Sequence, residues 1–575
     1  MKRTLITLIT ILLTMSAITA QTKTVTLKFI ETSDVHGAFF PTDYMTGKDA
    51  KGSMARVSTY IKQLRAQYGK NLILLENGDI MQGQPTNYFW NYVRSDRQNI
   101  ASSIVNYLKY DVQTFGNHDV ETGHGVYDKW ARELRCPLLG ANIIDTKTGK
   151  PYTNPYVVLR RSGVKIAIIG MLTPAIPNWL TGDLWSGLAF EDIVTSARKW
   201  VETVKTKERP DLIIGLFHSG RQGGITTDTY VENATETVAR EVPGFDVIFY
   251  GHDHTPFCEE VANSGGSTHI IGPGCNAQQV SECTITITKR DGKTTETKIQ
   301  STLTPVDDFD IDEAYMKRFE KEIAMLKEYI SKPVGYFDSE ARTCDSFFGP
   351  SSLTDFILQM QLSITGADIS FNAPLLLNST IAKGPVTVAD MFNLYKYENK
   401  LCVMRMTGKE IKGHLEMSYA KWTNQMKSPT DHILLLGDTK NDGERAGFKH
   451  PFFNFDSAAG IKYEVDVTKP DGEKVRIISM EDGTPFDEDK WYNVALNSYR
   501  ASGGGEHLTK GAGIPKDSLD GRTTWRSELD QRTYLMREIE KRGHVNPQPA
   551  SNWRFVPEEY ALPAIKRDRE LLFGK

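Results

Sequence analysis

Between residues 25 and 305 the sequence repeats one pattern, which constrains the fold more than any other feature. Five short apolar runs rich in β-branched and aromatic residues each end abruptly in a small polar cluster. The runs cover residues 26–30, 72–75, 112–115, 212–217 and 247–250. Buried strands have this appearance when the loops at their ends carry a site. The pattern therefore predicts an α/β sandwich whose ligand groups meet at the strand ends.

The five polar clusters supply one consistent set of donor atoms. Aspartate, asparagine and histidine together suit divalent transition metals better than they suit calcium or a thiolate zinc site. One Asp-x-His pair alone is more often an ordinary surface pair, but five clusters in series, each after a strand, predict a metal site. In chain order they are Asp34-x-His36, Gly78-Asp79, Gly116-Asn-His-Asp119, His218-Ser-Gly220 and Gly251-His-Asp-His254.

This series resembles the calcineurin-like metallophosphoesterase superfamily, whose motifs run D-x-H, G-D, G-N-H-[DE], H and G-H-x-H. The resemblance implies a four-layer αββα sandwich that holds two divalent metal ions, with zinc, manganese, iron and cobalt all acceptable. Two such ions activate water and neutralise charge on phosphoryl oxygens. The implied ligands are Asp34, His36 and His254 for one ion, Asn117, His218 and His252 for the other, and Asp79 as the bridge between them.

His118 follows an implied ligand but cannot easily bind the same ion. The resemblance implies that His118 steadies the transition state or protonates the leaving oxygen, with Asp119 orienting its ring. A hydrogen-bonded imidazole suits either role. The alternative is a structural histidine that caps a turn.

The pattern changes after a predicted helix at residues 310–330. Asp310 is the expected cap of this helix, and Glu313 completes a capping box. The helix is either a surface helix of the first domain or a linker between two domains, and the change of pattern favours the linker. The predicted divisions are therefore a first domain over 25–305, a linker helix over 306–333 and a second α/β domain over 334–560.

The second domain resembles the C-terminal domain of the periplasmic 5′-nucleotidase family. Stretches 387–399, 451–456 and 497–505 look like the branch of 2′,3′-cyclic-nucleotide 2′-phosphodiesterase/3′-nucleotidases. The 5′-nucleotidase branch usually carries N-[SG]-G-G-[IL]-R, whereas residues 371–375 here read Phe-Asn-Ala-Pro-Leu. The resemblance implies hydrolysis of cyclic and 3′-nucleotides, with a 5′-nucleotidase or nucleotide-sugar hydrolase as the alternative. A phosphatase for non-nucleotide esters and a non-catalytic nucleotide-binding protein are further alternatives; intact metal motifs argue against the latter.

Base recognition is also implied by the resemblance. Two aromatic rings sandwich the base in this family, and the matching positions are Phe453 and Tyr499, with Phe455 the rival to Phe453. Stacking of this kind tolerates any base. Asn372 and Asn497 are candidates for contact with base or ribose. The glycines at 503–505 allow the backbone to approach a ligand closely, or else they form a flexible turn.

The first twenty residues predict a secretory signal peptide. Lys2 and Arg3 precede an apolar run over 5–13, which ends in small residues up to Ala20. This run is too short for a comfortable membrane span, so we expect a periplasmic or secreted protein without a membrane anchor.

The net charge of −4 gives no electrostatic basis for binding long nucleic acids. A monomer that binds a nucleotide substrate is expected.

Three of the six cysteines fall within 258–283, so one local disulfide is expected there, with its pairing open.

Overall fold

The structure, a computed structural model, describes residues 22–437 and 447–574. The predicted signal peptide over residues 1–20 lies outside the described residues. Within the described ranges, none of the helices has both the length and the apolar character needed to cross a bilayer.

Two six-stranded sheets form the centre of the first domain. In each sheet the inner strands run parallel. Antiparallel strands lie at one edge of the first sheet and at both edges of the second. In spatial order the first sheet contains Lys293–Pro305, Gln279–Arg290, Thr22–Thr32, Leu72–Glu76, Val112–Thr114 and Leu138–Leu139. The second contains Phe257–Asn263, Gly266–Gly272, Val247–Tyr250, Leu212–His218, Val164–Leu172 and Tyr156–Arg161.

The inner strands are apolar on both faces because each sheet packs against the other sheet on one face and against helices on the opposite face. Ile73 and Leu75 pack in the core between the sheets, whereas Leu72 and Leu74 pack against the outer helices. Such double burial produces the near-continuous apolar runs seen in the sequence. The helices of this domain are Met54–Tyr68, Pro85–Tyr88, Ile100–Leu108, Asn117–Glu121, His124–Glu133, Ile176–Trp179, Ile193–Glu208 and Thr235–Glu241. The predicted four-layer αββα sandwich is confirmed.

Short strands complete the first domain beside the sandwich. A three-stranded sheet contains Lys150–Pro151, Ile143–Asp145 and Leu188–Phe190, and a hairpin contains Gly223–Thr226 and Val231–Asn233.

The helical segment after the sandwich differs from its prediction in detail. It consists of two helices, Glu313–Arg318 and Glu320–Ile330. The cap is Asp312 and not Asp310, because the Asp312 Oδ1 atom accepts the backbone N–H groups of Ala314 and Tyr315 at 3.0 and 3.2 Å. Tyr315, Phe319 and Leu326 are buried in the core of the first domain, so this segment packs as part of that domain while leading to the next.

The second domain is built on a mixed five-stranded sheet. In spatial order the sheet contains Ser457–Ala459, Ile369–Asn372, Trp491–Asn497, Lys400–Thr407 and Thr523–Asp530. Smaller sheets contain Val475–Met480, Ile461–Asp466 and Trp553–Val556; Gly384–Thr387, Pro333–Phe337 and His544–Val545; and Ala341–Arg342 with Thr380–Ile381. The helices are Ser352–Thr365, Val388–Leu394, Gly408–Trp422, Ser498–Ala501, Leu519–Arg522, Gln531–Arg542 and Glu558–Phe573.

The expectation of a disulfide within residues 258–283 is wrong for the described structure, since Cys258 and Cys283 are both unpaired. Cys258 is exposed on the edge strand Phe257–Asn263. Cys283 is buried between the two sheets, where its Sγ atom accepts a hydrogen bond from the Ser301 hydroxyl at 3.6 Å. The two thiols therefore occupy different layers of the sandwich.

Candidate active site

The five polar clusters converge because they follow strands whose carboxyl ends point the same way. Thr22–Thr32, Leu72–Glu76 and Val112–Thr114 are parallel neighbours in one sheet. Leu212–His218 and Val247–Tyr250 are parallel neighbours in the other. The loops after parallel strands meet at one edge, which is where α/β proteins place their ligands. The structure brings all seven predicted metal ligands together at this edge.

The ligand atoms form two groups that share Asp79. One nitrogen or carboxylate oxygen from each of Asp34, His36, Asp79 and His254 lies within 4.8 Å of the others, and the same holds for Asp79, His218 and His252. These are the two sets implied by the sequence motifs, with Asp79 between them.

Individual distances show how closely the donors face one another. The Nε2 atoms of His36 and His254 are 3.0 Å apart, and His254 Nε2 is 3.3 Å from Asp34 Oδ1. On the other side, the Oδ1 atom of Asn117 is 3.1 Å from His218 Nε2 and 2.7 Å from His252 Nδ1. Asn117 thus joins the second group as an oxygen donor.

Neighbouring groups fix the imidazole rings from behind. The Nδ1 atom of His36 donates to the Gln82 carbonyl at 3.0 Å, and that of His218 donates to the Asn77 carbonyl at 2.6 Å. Both rings consequently present Nε2 to the site. His252 is turned the other way: its Nε2 atom lies 3.0 Å from Glu232 Oε1, so Nδ1 faces the site. Partners of this kind set ring orientation and tautomer in metal centres.

The charges of the site fit cations. The buried Oδ2 atom of Asp79 accepts no hydrogen bond from any residue that the structure describes, yet it lies 3.1 Å from His218 Nε2 and 4.0 Å from His36 Nε2. Burial alone would raise the pKa of Asp34, but His218 and His254 hold that pKa at about 2. Burial and the charge of His254 lower the pKa of His36 to about 3. Despite burial, the Asp79 and Asp34 carboxylates raise the pKa of His218 to about 10. A divalent ion held here would take the place of that proton, because metals bind ionised carboxylates and neutral imidazole.

Five of the ligands have an unusual backbone conformation. Asp34, His36, Asp79, His252 and His254 have φ values of 50°, 47°, 55°, 85° and 57°. Non-glycine residues rarely adopt positive φ, and such strain is concentrated at functional sites. Gly116 shows how tightly the loops meet, because a Cβ atom there would lie 2.0 Å from Asp79 Oδ1. The glycine of the Gly-Asn-His-Asp motif is thus required by close packing against Asp79.

His118 faces the metal ligands from the short helix Asn117–Glu121. Its ring lies 5.4 Å from that of His36, and its backbone N–H donates to Asp79 Oδ1 at 2.8 Å. The Nδ1 atom is 2.6 Å from Glu121 Oε2, so Glu121 is the carboxylate that orients the ring.

The predicted role of Asp119 is therefore wrong. Its buried carboxylate instead accepts the backbone N–H groups of four residues at 2.8–3.0 Å, namely Asp79, Ile80, Met81 and Gly116. Both carboxylate oxygens of Asp119 accept hydrogen bonds from the backbone of the loop that carries Asp79, so Asp119 holds that loop in place.

The candidate base-binding aromatics lie together in the second domain. The rings of Phe453 and Tyr499 are 6.3 Å apart at 82°, and both are half-buried. Phe452 and Phe455 are buried in the core, where Phe455 stacks on Trp422. Of the three phenylalanines, Phe453 has the exposure that contact with a ligand requires.

The two candidate asparagines are more deeply placed. Asn497 caps the helix Ser498–Ala501, because its Oδ1 atom accepts the Arg500 backbone N–H at 2.8 Å. The Asn372 side chain is buried and donates to the Ala373 carbonyl at 2.8 Å. A structural role accounts for Asn497, whereas the Oδ1 atom of Asn372 has no partner among the described residues.

The two domains touch beside the metal centre. The Gln82 side chain, whose backbone carbonyl supports His36, donates to Glu398 Oε2 at 3.1 Å. The Tyr88 hydroxyl lies 2.8 Å from both Asp530 Oδ2 and Thr533 Oγ1. The Arg532 guanidinium pairs with Glu398 and stacks 4.5 Å from the centre of the Tyr88 ring. These contacts are mainly polar.

Sequence reasoning missed two supporting carboxylates. Glu121 could have been found, since it lies three residues after His118 and residues at that spacing share a helix face. Glu232 carries no motif and reaches His252 only through the hairpin of the first domain. No signal in the sequence connects Glu232 to the site.

Comparisons with known proteins agree with this geometry. Residues 27–256 match the family model described as calcineurin-like phosphoesterase, and residues 329–510 match 5′-nucleotidase, C-terminal domain. A 2′,3′-cyclic-nucleotide 2′-phosphodiesterase/3′-nucleotidase from Haemophilus influenzae is 29% identical over 93% of this chain and 88% of its own length. A 5′-nucleotidase from Vibrio cholerae is 33% identical over 42% of each chain.

A solved structure shares the whole architecture. The putative 5′-nucleotidase from Staphylococcus aureus superposes with a TM-score of 0.77 at 21% identity, covering 92% of this chain and all of its own. The two matched family models cover both domains, and the two ligand groups that share Asp79 lie within the first of them. Residues 27–256 are thus a calcineurin-like phosphoesterase domain, and residues 329–510 are a 5′-nucleotidase C-terminal domain.

Proposed function

We propose that this protein hydrolyses 2′,3′-cyclic nucleotides to 3′-nucleotides, and 3′-nucleotides to nucleosides and phosphate, outside the cytoplasm. The observation that carries the proposal is the pair of ligand groups sharing Asp79, because a phosphoester needs charge neutralised on several oxygens at once. Relatives of full length that carry this activity in their names support the substrate class. The leader-like pattern of residues 1–20 supports export.

The residues fit two divalent metal ions, and their carboxylate, amide and imidazole donors suit zinc, manganese, iron and cobalt. Asp34, His36 and His254 would hold one ion, and Asn117, His218 and His252 the other, with Asp79 shared. Bound ions of this kind activate water and neutralise charge on the phosphoryl group.

His118 supplies the proton that hydrolysis needs. Attack of water at phosphorus breaks the bond to the ribose 2′-oxygen, or to the 3′-oxygen in the second reaction, and the released oxygen takes up a proton. The Glu121 carboxylate on Nδ1 stabilises the protonated ring, so that Nε2 is the atom that can donate this proton. Phe453 and Tyr499 hold the base by stacking, which tolerates different bases.

The second candidate is a 5′-nucleotidase of the same architecture, favoured by the matching relatives of that name. The stretch that usually supplies an arginine in that branch here contains Leu375 and Leu377. Both pack against the hydrophobic cores of the second domain. An apolar environment there gives no cation for an anionic group.

The test is product analysis with four substrates, each with and without a chelator. They are 2′,3′-cyclic AMP, 3′-AMP, 5′-AMP and a UDP-sugar; nucleosides are separated as well as phosphate counted, because ring opening releases no phosphate. We expect fastest turnover of the first two, abolished by the chelator and by Asp79→Asn. Faster turnover of 5′-AMP would establish the second candidate, and no turnover of any substrate with added zinc, manganese, iron or cobalt would refute both.

A further inference from the structure

Four chemistry-bearing side chains are buried together behind the candidate base-binding rings. Arg500, Asp456, His414 and His507 are each at most 2% exposed, and we call them the Arg500 cluster. The Nε and Nη2 atoms of Arg500 donate to the two carboxylate oxygens of Asp456, both at 2.8 Å. His414 Nε2 lies 2.7 Å from the same carboxylate. None of these side chains has a part in the chemistry described above.

The remaining donors of Arg500 reach both segments that carry the rings. Nη2 donates to the carbonyl of Phe453 itself at 3.1 Å. Nη1 donates to Asn454 Oδ1 at 3.1 Å and to the Gly504 carbonyl at 2.7 Å. Tyr499 directly precedes Arg500 in the chain, and its ring centre lies 5.4 Å from the guanidinium. One planar cation thus connects the turn that carries Phe453 with the loop that carries Tyr499.

His507 connects the same two segments a second time. Its Nδ1 atom lies 2.9 Å from the Gly505 carbonyl, and its Nε2 atom lies 2.9 Å from the Asn454 carbonyl. The loop also supports the Tyr499 ring directly, since a Cβ atom at Gly504 would be 2.6 Å from that ring. Gly504 therefore serves close packing against the protein's own aromatic ring, and Gly505 packs against the cluster itself, since a Cβ atom there would lie 2.3 Å from Arg500 Nη1.

The chemistry of arginine explains why this position carries a cation. A buried ion pair stabilises a fold little more than apolar residues of equal volume would. Guanidinium, however, offers five N–H donors in a fixed plane, which no other side chain can supply. Here the donors run to a carboxylate and to both ring-bearing segments. The fixed plane therefore determines how far apart those segments lie.

We propose that Arg500 is a positioning residue that sets the spacing between the Phe453 and Tyr499 rings and thereby the selection of base-bearing substrates. The inference rests on the proposed function for its substrates but makes its own prediction about base binding. Removing Arg500 should weaken recognition of the base and leave phosphoester chemistry intact.

The test compares a nucleotide with a substrate that lacks the base. The substrates are 2′,3′-cyclic AMP and methyl riboside 2,3-cyclic phosphate, assayed with the metal-loaded full chain and the variants Arg500→Lys and Arg500→Met. We expect KM for cyclic AMP to rise about tenfold, because misplaced rings no longer stack fully on the base. For the base-free ester, kcat/KM should change less than twofold. Lys474→Met is the matched control, because Lys474 is another buried cation of this domain, bonded to the Thr423 carbonyl at 2.9 Å.

Equal losses on both substrates in the folded Arg500→Lys variant, or no change on either, would overturn the inference. Arg500→Lys decides the matter if Arg500→Met fails to fold, as judged by circular dichroism. The affinity for adenosine, measured by calorimetry, tests this inference independently of the proposed function, because adenosine carries the base and no phosphoester. Weaker adenosine binding by Arg500→Lys would sustain the role of Arg500 even if the wild-type protein hydrolysed neither ester.

Discussion

Glu121 holds the His118 ring from a position one helical turn further along the chain. A carboxylate on Nδ1 favours the protonated imidazole and fixes the direction of Nε2. Activity should therefore depend on the charge of residue 121 as well as on its size.

We expect Glu121→Gln to lower kcat for 2′,3′-cyclic AMP by at least about tenfold, part of the roughly 100-fold or greater loss caused by removing a general acid. Bound metal, measured by elemental analysis, should be unchanged, because Glu121 contacts His118 and not a ligand. Asp128→Asn is the matched control: Asp128 makes the same kind of contact with His124, at 3.1 Å, away from the centre. Full activity of Glu121→Gln would show that the contact has no part in catalysis.

At the scale of elements, the helix Ser352–Thr365 contains a carboxyl group whose environment opposes its charge. Asp355 is buried in the first turn and accepts the Ala550 backbone N–H at 2.8 Å. Burial raises the pKa of Asp355 from 3.8 to about 6. The folded state therefore binds a proton more tightly than the unfolded state does, and stability contributed at low pH is lost as pH rises from about 4 to 6.

We expect Asp355→Asn to remove this loss. Between pH 5 and pH 8, urea denaturation should show that the unfolding free energy of the wild type decreases by about 1.4 kcal/mol more than that of the variant. The exposed Asp517 gives the control variant Asp517→Asn, which should follow the wild type. Parallel pH profiles for the wild type and Asp355→Asn would contradict the expectation.

Sequence reasoning succeeded for elements whose determinants are local. The strands at 72–75 and 247–250 were predictable because a strand buried on both faces consists of consecutive apolar residues, which are visible in the sequence. The spatial order of the second domain's sheet was not predictable, because Ile369–Asn372 pairs with strands about ninety and more than a hundred residues away. Phe453 and Phe455 could not be separated by sequence for the same reason: only tertiary packing decides which ring is buried.

At the scale of the whole molecule, the predicted metal ligands and the candidate base-binding rings lie on different domains. The contacts between the domains include the hydrogen bonds of Gln82 and Tyr88 and the ion pair of Lys400 with Asp183, beside the packing of the Tyr88 ring on Phe392. Interfaces between domains with such polar contacts commonly allow the domains to move. We propose that domain rotation accompanies turnover. The Tyr88 hydroxyl, bonded to Asp530 and Thr533, stabilises the arrangement seen here.

We expect Tyr88→Phe to increase the population of separated domains several-fold, since a hydrogen bond contributes about 1 kcal/mol. The Phe ring retains the contact with Arg532. Fluorophore-distance measurements across the domains are the readout, and Tyr107→Phe is the control, because Tyr107 packs on Tyr315 and Phe319 away from the interface. Identical distance distributions for Tyr88→Phe and the wild type would contradict this role of the hydroxyl.

The left-handed backbone of five metal ligands has an evolutionary consequence. Each such residue costs on the order of 1–3 kcal/mol, and together they approach the total stability of a typical domain. The donor atoms of these side chains, and not the preference of the backbone, account for aspartate and histidine at 34, 36, 79, 252 and 254. In a lineage released from selection for these donors, glycine or asparagine at these positions would stabilise the fold and spread. In a descendant that has lost the activity, we therefore expect substitutions at these five positions to appear before substitutions in the hydrophobic core.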